Sequence, residues 1–224
     1  MIKTKKQGLL IVLSGPSGSG KSTICDELKK KNENIWESIS MTSRMPREGE
    51  IPDESYYFIT KEAFEAHIEK DDFLEYALFA GNYYGTPKKN IQKHLDAGED
   101  VILVIEIQGA LQVKEKLPQA LFVFLLPPSM NELRTRLTLR KTETEDKILE
   151  RFQTAYREIN ELTKYNYVIV NDEVEKAGSK LEAIIQAEKC RVDRIEEVFL
   201  NTEEEKLHET LVKKDLENKP IHLN

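Results

Sequence analysis

A lysine and two hydroxyls close a glycine-rich stretch, GPSGSGKST, that runs from Gly15 to Thr23. Gly15, Gly20, Lys21 and Ser22 fit the spacing G-x-x-x-x-G-K-[ST]. Each residue type has a task in that pattern. The glycines let the backbone curl until several N–H groups point inward and form an anion nest. A helix beginning near Lys21 adds the positive end of its dipole. Lys21 then reaches the β- and γ-phosphates of a nucleotide, and Ser22 ligates Mg²⁺. An ordinary glycine-rich turn leaves Lys21 and Ser22 unexplained at their spacing. A signal peptide starting MIKTKKQGLLIVLSG is also excluded, because Leu9–Leu13 is too short for its apolar region and no small-residue cleavage site follows.

A second group of residues follows. SISMTSRMPREGE places Arg44 and Arg47 three apart among hydroxyls, and guanidinium forks suit the oxygens of a phosphate monoester. Standing alone, this segment reads equally well as a solvated loop with incidental charge. It is followed by Tyr56 in SYYF, Glu75 in FLEY, Tyr84 and Thr86 in GNYYGTP, and Glu106 in IEIQGA.

The elements that must carry these side chains alternate. LLIVL reads as a short buried strand and STICDELKKK as a helix, which gives the order strand, loop, helix. Further buried runs are Val101–Ile107, Leu121–Leu126 and Tyr167–Asn171, with helical patterns near 108–117, 129–139, 144–164 and 173–210. Continuous apolar runs alternating with helices predict a parallel sheet covered on both faces. The stretch 38–97 breaks this rhythm with short alternating pieces and a helix at 61–70, and reads as a small mixed insertion. From about Cys190 the chain is highly charged. Val192, Ile195, Val198 and Phe199 have helical spacing, so this tail reads as a helix fraying into a solvated end.

A chain of 224 residues is one domain or a domain with insertions, and it can bury a sizeable core. Its net charge of −7 argues against a nucleic-acid partner held by bulk electrostatics. The two cysteines, Cys25 and Cys190, provide neither a disulfide framework nor a metal spacing, and read as reduced, partly buried thiols of a cytoplasmic protein. No apolar run is long enough to span a membrane.

Taken in order, GPSGSGK, SISMTSRMPREGEIPDESYYF, FLEYALFAGNYYGT, IEIQG, RKTETE and IVNDE resemble the motif series of the guanylate kinases. The likeness runs from about Gly8 to Lys189 and leaves the tail outside. It implies an α/β, P-loop NTPase-type parallel sheet flanked by helices. To this are added a small mixed α/β GMP-binding insertion and a short mobile lid. The division it implies is a core of 1–37 and 98–189, a lid at about 138–152, the insertion at 38–97 and the tail at 190–224. The implied reaction is MgATP plus GMP (or dGMP) to ADP plus GDP (or dGDP). Gly15, Pro16, Ser17, Gly18, Ser19, Gly20, Lys21, Ser22, Thr23 and Asn171 would then bind ATP, with Ser22 on Mg²⁺ and Asn171 near the adenine. Arg44, Arg47, Tyr56 and Tyr84 would hold the GMP phosphate, and Ser40, Glu75, Thr86 and Glu106 would read the guanine. Lys21, Arg44, Arg140 and Arg151 would meet the transferring phosphoryl group.

These residue types make chemical sense without the family. A phosphate acceptor is already anionic and needs no general base, so positioning and charge neutralisation carry the reaction. Guanine offers N1–H and an exocyclic amine as donors, which one carboxylate such as Glu75 accepts together, and Ser or Thr donates to O6. Adenine presents a bare N1 to the same carboxylate. Three positions depart from the family pattern. Val104 stands where an acid often ends the strand, Lys141 replaces a glycine in RGTE, and Asp53-Glu54-Ser55 precedes Tyr56 in place of G-x-D, which predicts another path for that loop. Two alternatives remain: a P-loop kinase for another phosphorylated acceptor such as a ribose bisphosphate, and a guanylate-kinase-like protein-binding module.

Overall fold

The computed structural model describes residues 2–4, 7–79, 81–139 and 145–198. Two compact units are present, a large one from Lys6 to Ile185 and a small one that takes the residues before Lys6 and from Gln186 onward. In the large unit, β2 (Leu10–Ser14), β3 (Ile35–Glu37), β8 (Asp100–Val104), β9 (Leu121–Leu126) and β10 (Tyr167–Val170) form one sheet in the order β10-β9-β2-β8-β3. Every pairing in it is parallel. The period of two along each strand sends alternate side chains to opposite faces, and both faces are covered. Ile11, Leu13 and Ile102 pack with Ile24 and Leu28 of α1 (Lys21–Lys31) and with Ala177 and Leu181 of α7 (Val174–Lys189). Val12, Val101 and Leu103 pack on the other face with Ile91 and Leu95 of α3 (Lys88–Asp96) and Val113 of α4 (Ile107–Lys116). The predicted α/β class and sheet are therefore observed, with β3 an edge strand that the apolar pattern did not show.

The stretch expected as an insertion builds its own sheet. β4 (Met41–Thr42), β5 (Tyr57–Phe58), β6 (Phe73–Phe79) and β7 (Asn82–Pro87) run in the order β5-β4-β7-β6, covered by α2 (Lys61–Glu69). Thr60 caps α2 by accepting from Ala63 N–H. Phe64 of α2 stacks on Phe73 and on Tyr83 with ring centroids 4.4 and 5.1 Å apart. Gly85 makes that possible, since a Cβ there would stand 2.9 Å from both Phe64 and Phe73. At the root of this sheet, Trp36 of β3 lies flat on His94 of α3, centroids 3.9 Å apart.

α5 (Met130–Leu139) and α6 (Glu145–Ile159) follow β9, and Leu133, Leu137 and Ala155 pack between them. The helix expected over 144–164 tightens to a 3₁₀ turn over Asn160–Lys164. Residues 140–144, with Arg140 and Lys141, lie outside the described residues.

The reading of the tail is corrected in the small unit. α7 ends at Lys189, Cys190 is exposed, and Ile195–Val198 is a strand, β11, antiparallel to β1 (Ile2–Thr4). The β-branched Val192, Ile195 and Val198 suit an extended chain as well as a helical stripe. What decides is a pairing partner roughly 190 residues away, which local periodicity cannot register. Residues 199–224 lie outside the described residues.

Candidate active site

The glycine-rich loop leaves the C-terminal end of β2, the middle strand of its sheet, where ligands gather in open parallel sheets. Its curl brings backbone against backbone. A Cβ on Gly15 would stand 2.2 Å from the Leu125 carbonyl oxygen, and one on Gly20 would stand 2.3 Å from Asn171 Nδ2. Gly20 also has φ 96°, which a side chain disfavours. Asn171 is 3% exposed, and its Nδ2 donates to the Ser19 carbonyl at 2.7 Å. The structure thus sets Asn171 beneath the loop as its anchor. Arg136, which the sequence reading passed over, donates to the Asn171 carbonyl at 3.2 Å and is held by Glu132 at 2.9 Å.

Lys21 Nζ donates to the Gly15 carbonyl at 2.6 Å and stands 3.6 Å from Glu106 Oε1. Glu106 occupies the N-cap position of α4 without a side-chain capping bond, and its carboxylate is 60% exposed. Ser22 and Thr23 are exposed in the first turn of α1. Arg151, on α6, donates to the Ser17 hydroxyl, so α6 reaches the loop. Val104, where an acid was looked for, packs partly buried against the apolar core.

Glu158 of α6 was not foreseen. It is half-buried, and its Oε2 has no hydrogen-bond partner among the described residues. Burial, and then the charge of Glu106, push its carboxyl up to about 7 against the pull of Lys21. Ala155 is fully buried one turn earlier, a spacing that marks the inward face of α6.

The second sheet carries most of the residues expected to meet the acceptor. Arg44 Nη1 and Nη2 donate to Glu50 at 3.0 and 2.8 Å, Nη1 also donates to the Met45 carbonyl at 2.7 Å, and Nε donates to the Tyr84 hydroxyl at 3.2 Å. The guanidinium also lies 5.6 Å from the Tyr56 ring and 5.8 Å from that of Phe58. Glu50, which the sequence reading missed in the run REGE, also accepts from Arg47 N–H at 2.7 Å. Arg44 holds the Glu50 carboxyl below its ordinary range. The Arg47 side chain is exposed, Tyr56 and Tyr84 are partly buried, and the Ser40 carbonyl accepts from Tyr57 N–H at 2.9 Å. The loop before Tyr56 closes as a tight turn. Asp53 takes φ 64°, and Ser55 and Ile51 exchange bonds of 3.0 and 2.8 Å. Asp tolerates that left-handed angle better than most residues, so the missing glycine is absorbed locally.

Glu75 and Thr86 are cross-strand neighbours on β6 and β7. Both are buried, Glu75 to 5% exposure. Thr86 Oγ1 donates to Glu75 Oε1 at 2.5 Å. Burial pushes the Glu75 carboxyl up, while that hydrogen bond and the charge of Lys116 pull it down. A buried carboxylate with spare acceptor sites, on the same hairpin as the Tyr84 that meets Arg44, can take the donors of a base there.

Sheet order, phosphate loop and arginine fork define a P-loop kinase that works on a phosphorylated acceptor. The family model described as guanylate kinase matches residues 7–188. The chain belongs to the guanylate kinase family. It is 57% identical to a guanylate kinase of Clostridium tetani over 92% of this chain and 99% of that protein. Its identity to the guanylate kinase of Clostridium acetobutylicum is 55%, over 91% of this chain and 97% of the other. The crystal structure of guanylate kinase from Anaplasma phagocytophilum superposes with a TM-score of 0.72 at 34% identity, covering 86% of this chain and 92% of that one.

Proposed function

We propose that this member of the family transfers the γ-phosphoryl group of MgATP to the phosphate of GMP or dGMP, giving ADP and GDP or dGDP. The observation that carries the reading is the buried Glu75–Thr86 pair, built into the acceptor sheet of a chain whose phosphate loop is intact. Neither alternative acceptor nor binding-module reading has an observation in its favour.

Gly15, Pro16, Ser17, Gly18, Ser19 and Gly20 cradle the ATP phosphates, and Lys21 exchanges the Gly15 carbonyl for phosphate oxygens. Arg151 leaves Ser17 for the transferring group, and Arg140 joins it there. Ser22 and Thr23 face the metal side. The donor set fits Mg²⁺ held largely by substrate. Ser22 is an exposed hydroxyl, Glu106 is nearby at Lys21, and no cluster of three or more His, Cys, Asp or Glu able to hold a metal occurs among the described residues. When bound, Mg²⁺ neutralises and orients the β- and γ-phosphate oxygens.

Four of the five N–H groups of Arg44 are engaged among the described residues. The GMP phosphate takes the fifth, with Arg47, Tyr56 and Tyr84 around it. Glu75 accepts N1–H and the 2-amino group of guanine. The single Thr86 hydroxyl hydrogen is spent on Glu75, so Ser40 is the O6 donor of the two. Glu106 stands at the junction between the sites, and Asn171 keeps the loop under ATP. We assign 38–97 as the acceptor insertion, 138–152 as the lid, and the remainder of 1–189 as the core. Among the described residues no helix is long and apolar enough to cross a membrane, and we place the protein in the cytoplasm.

The test is ADP formation by the purified chain with MgATP and GMP, AMP, UMP or no acceptor. Turnover with GMP is expected. Equal turnover with AMP or UMP would overturn the assignment.

A further inference from the structure

The acceptor carboxylate does not hold itself in place. β6 lies along α4, and three residues on one face of that helix meet it at Glu75. Lys116 Nζ donates to the Leu74 carbonyl at 2.6 Å. Gln112 Nε2 donates to the Tyr76 carbonyl at 2.9 Å, and its Oε1 accepts from Tyr76 N–H at 3.3 Å. The backbone on either side of Glu75 is thereby tied to α4. The third residue is Gly109, and spacings of three and four put it on the same stripe as Gln112 and Lys116. A Cβ at Gly109 would stand 2.4 Å from Glu75 Oε2 and 3.0 Å from its Cδ. Glu75 Oε1 is meanwhile held by Thr86 from the partner strand.

We infer that α4 is the template for guanine recognition and that Gly109 is a specificity-determining position, its missing side chain being the space that Glu75 Oε2 occupies. The inference rests on the reading that Glu75 accepts from guanine. Gly109 is then a positioning residue that acts through Glu75. The carboxylate has one seat, between the Thr86 hydroxyl and the bare backbone of Gly109. Both of its oxygens must point correctly to take the N1–H and the amine together. A methyl group at 109 moves Oε2, and one of the two bonds fails.

The clash falls on the far end of a flexible side chain and not on backbone. Alanine is also the better helix former, so the fold tolerates the change while the carboxylate does not. A merely structural glycine would behave in the opposite way.

The experiment compares Gly109→Ala, Gln112→Leu and Glu75→Gln with the parent, using GMP and IMP, which lacks the 2-amino group. Expected for Gly109→Ala is a melting temperature no lower than the parent's, an unchanged KM for ATP, and a preference for GMP over IMP reduced about tenfold, the factor carried by one lost hydrogen bond. Gln112→Leu shifts the same ratio by less, since it loosens Tyr76 and leaves the seat open. An unchanged GMP-to-IMP ratio in Gly109→Ala, or equal losses toward ATP and GMP, would overturn the inference. If Glu75→Gln also leaves the ratio unchanged, the assignment of Glu75 to guanine has failed as well. If Glu75→Gln alone collapses it, that assignment stands and only the template is lost.

Discussion

Thr86 and Glu75 face each other across the β6–β7 hairpin, and the threonine hydroxyl donates to Glu75 Oε1 at 2.5 Å. The bond fixes which oxygen is already engaged before any base arrives. Glu75→Gln replaces one acceptor oxygen with a donor that faces the donors of guanine. We expect kcat/KM for GMP to fall by about a hundredfold or more, as for sites that leave a buried polar group opposed, with KM for ATP unchanged. Steady-state kinetics in both substrates check this, and a matching rise in KM for ATP would mark general damage instead.

Lys21 rests on the Gly15 carbonyl and near Glu106. Neither contact is part of the core, so Lys21→Ala should unfold nothing. Turnover should fall by at least about a hundredfold, the loss typical of one preorganised donor at a developing charge. Thermal melting and turnover measured together decide the matter. A variant near parental activity would remove Lys21 from the reaction.

Glu158 ties pH to stability. Its carboxyl titrates at about 7 when folded against 4.5 ordinarily. Between those values the folded chain holds more protons than the unfolded one, so stability falls as pH rises through the window and the loss is complete above pH 7. Glu158→Gln should therefore gain on the order of 1 kcal/mol above pH 7, after screening of a half-exposed group is allowed for, and nothing below pH 4.5. Denaturant melts at the two ends of the range test it. A variant less stable than its parent above pH 7 would contradict the assignment.

We propose that the sheet of 38–97 closes toward the nucleotide loop and so excludes water from the transferring phosphoryl group. X-ray scattering should record a smaller radius of gyration with GMP and a non-hydrolysable ATP analogue than with either alone. No compaction with both would leave closure without support.

What the sequence disclosed depends on how local the cause is. β2, its loop and α1 are legible because glycine, lysine and an apolar run act within about twenty residues of one another. Glu75 and Thr86 are legible only as members of a motif, since nothing local says that the hairpin register sets them opposite each other. Arg136 and Glu158 lack even that. Their meaning lies in Asn171 and the Lys21–Glu106 pair, which come from other segments. β11 is the extreme case, because its partner is β1 at the other end of the chain. Gly109 stands in a visible motif, yet only the approach of Glu75 shows what its bare backbone makes room for.

The sole tryptophan, Trp36, lies flat on His94 where the chain enters and leaves the acceptor sheet. An indole stacked on imidazole is an intrinsic optical gauge at the joints between that sheet and the core. Both rings sit on elements packed against the core, Trp36 on β3 and His94 on α3, so a change in emission on adding nucleotides would report a shift at those joints. The unlabelled protein thus carries its own probe of those joints, readable without a dye.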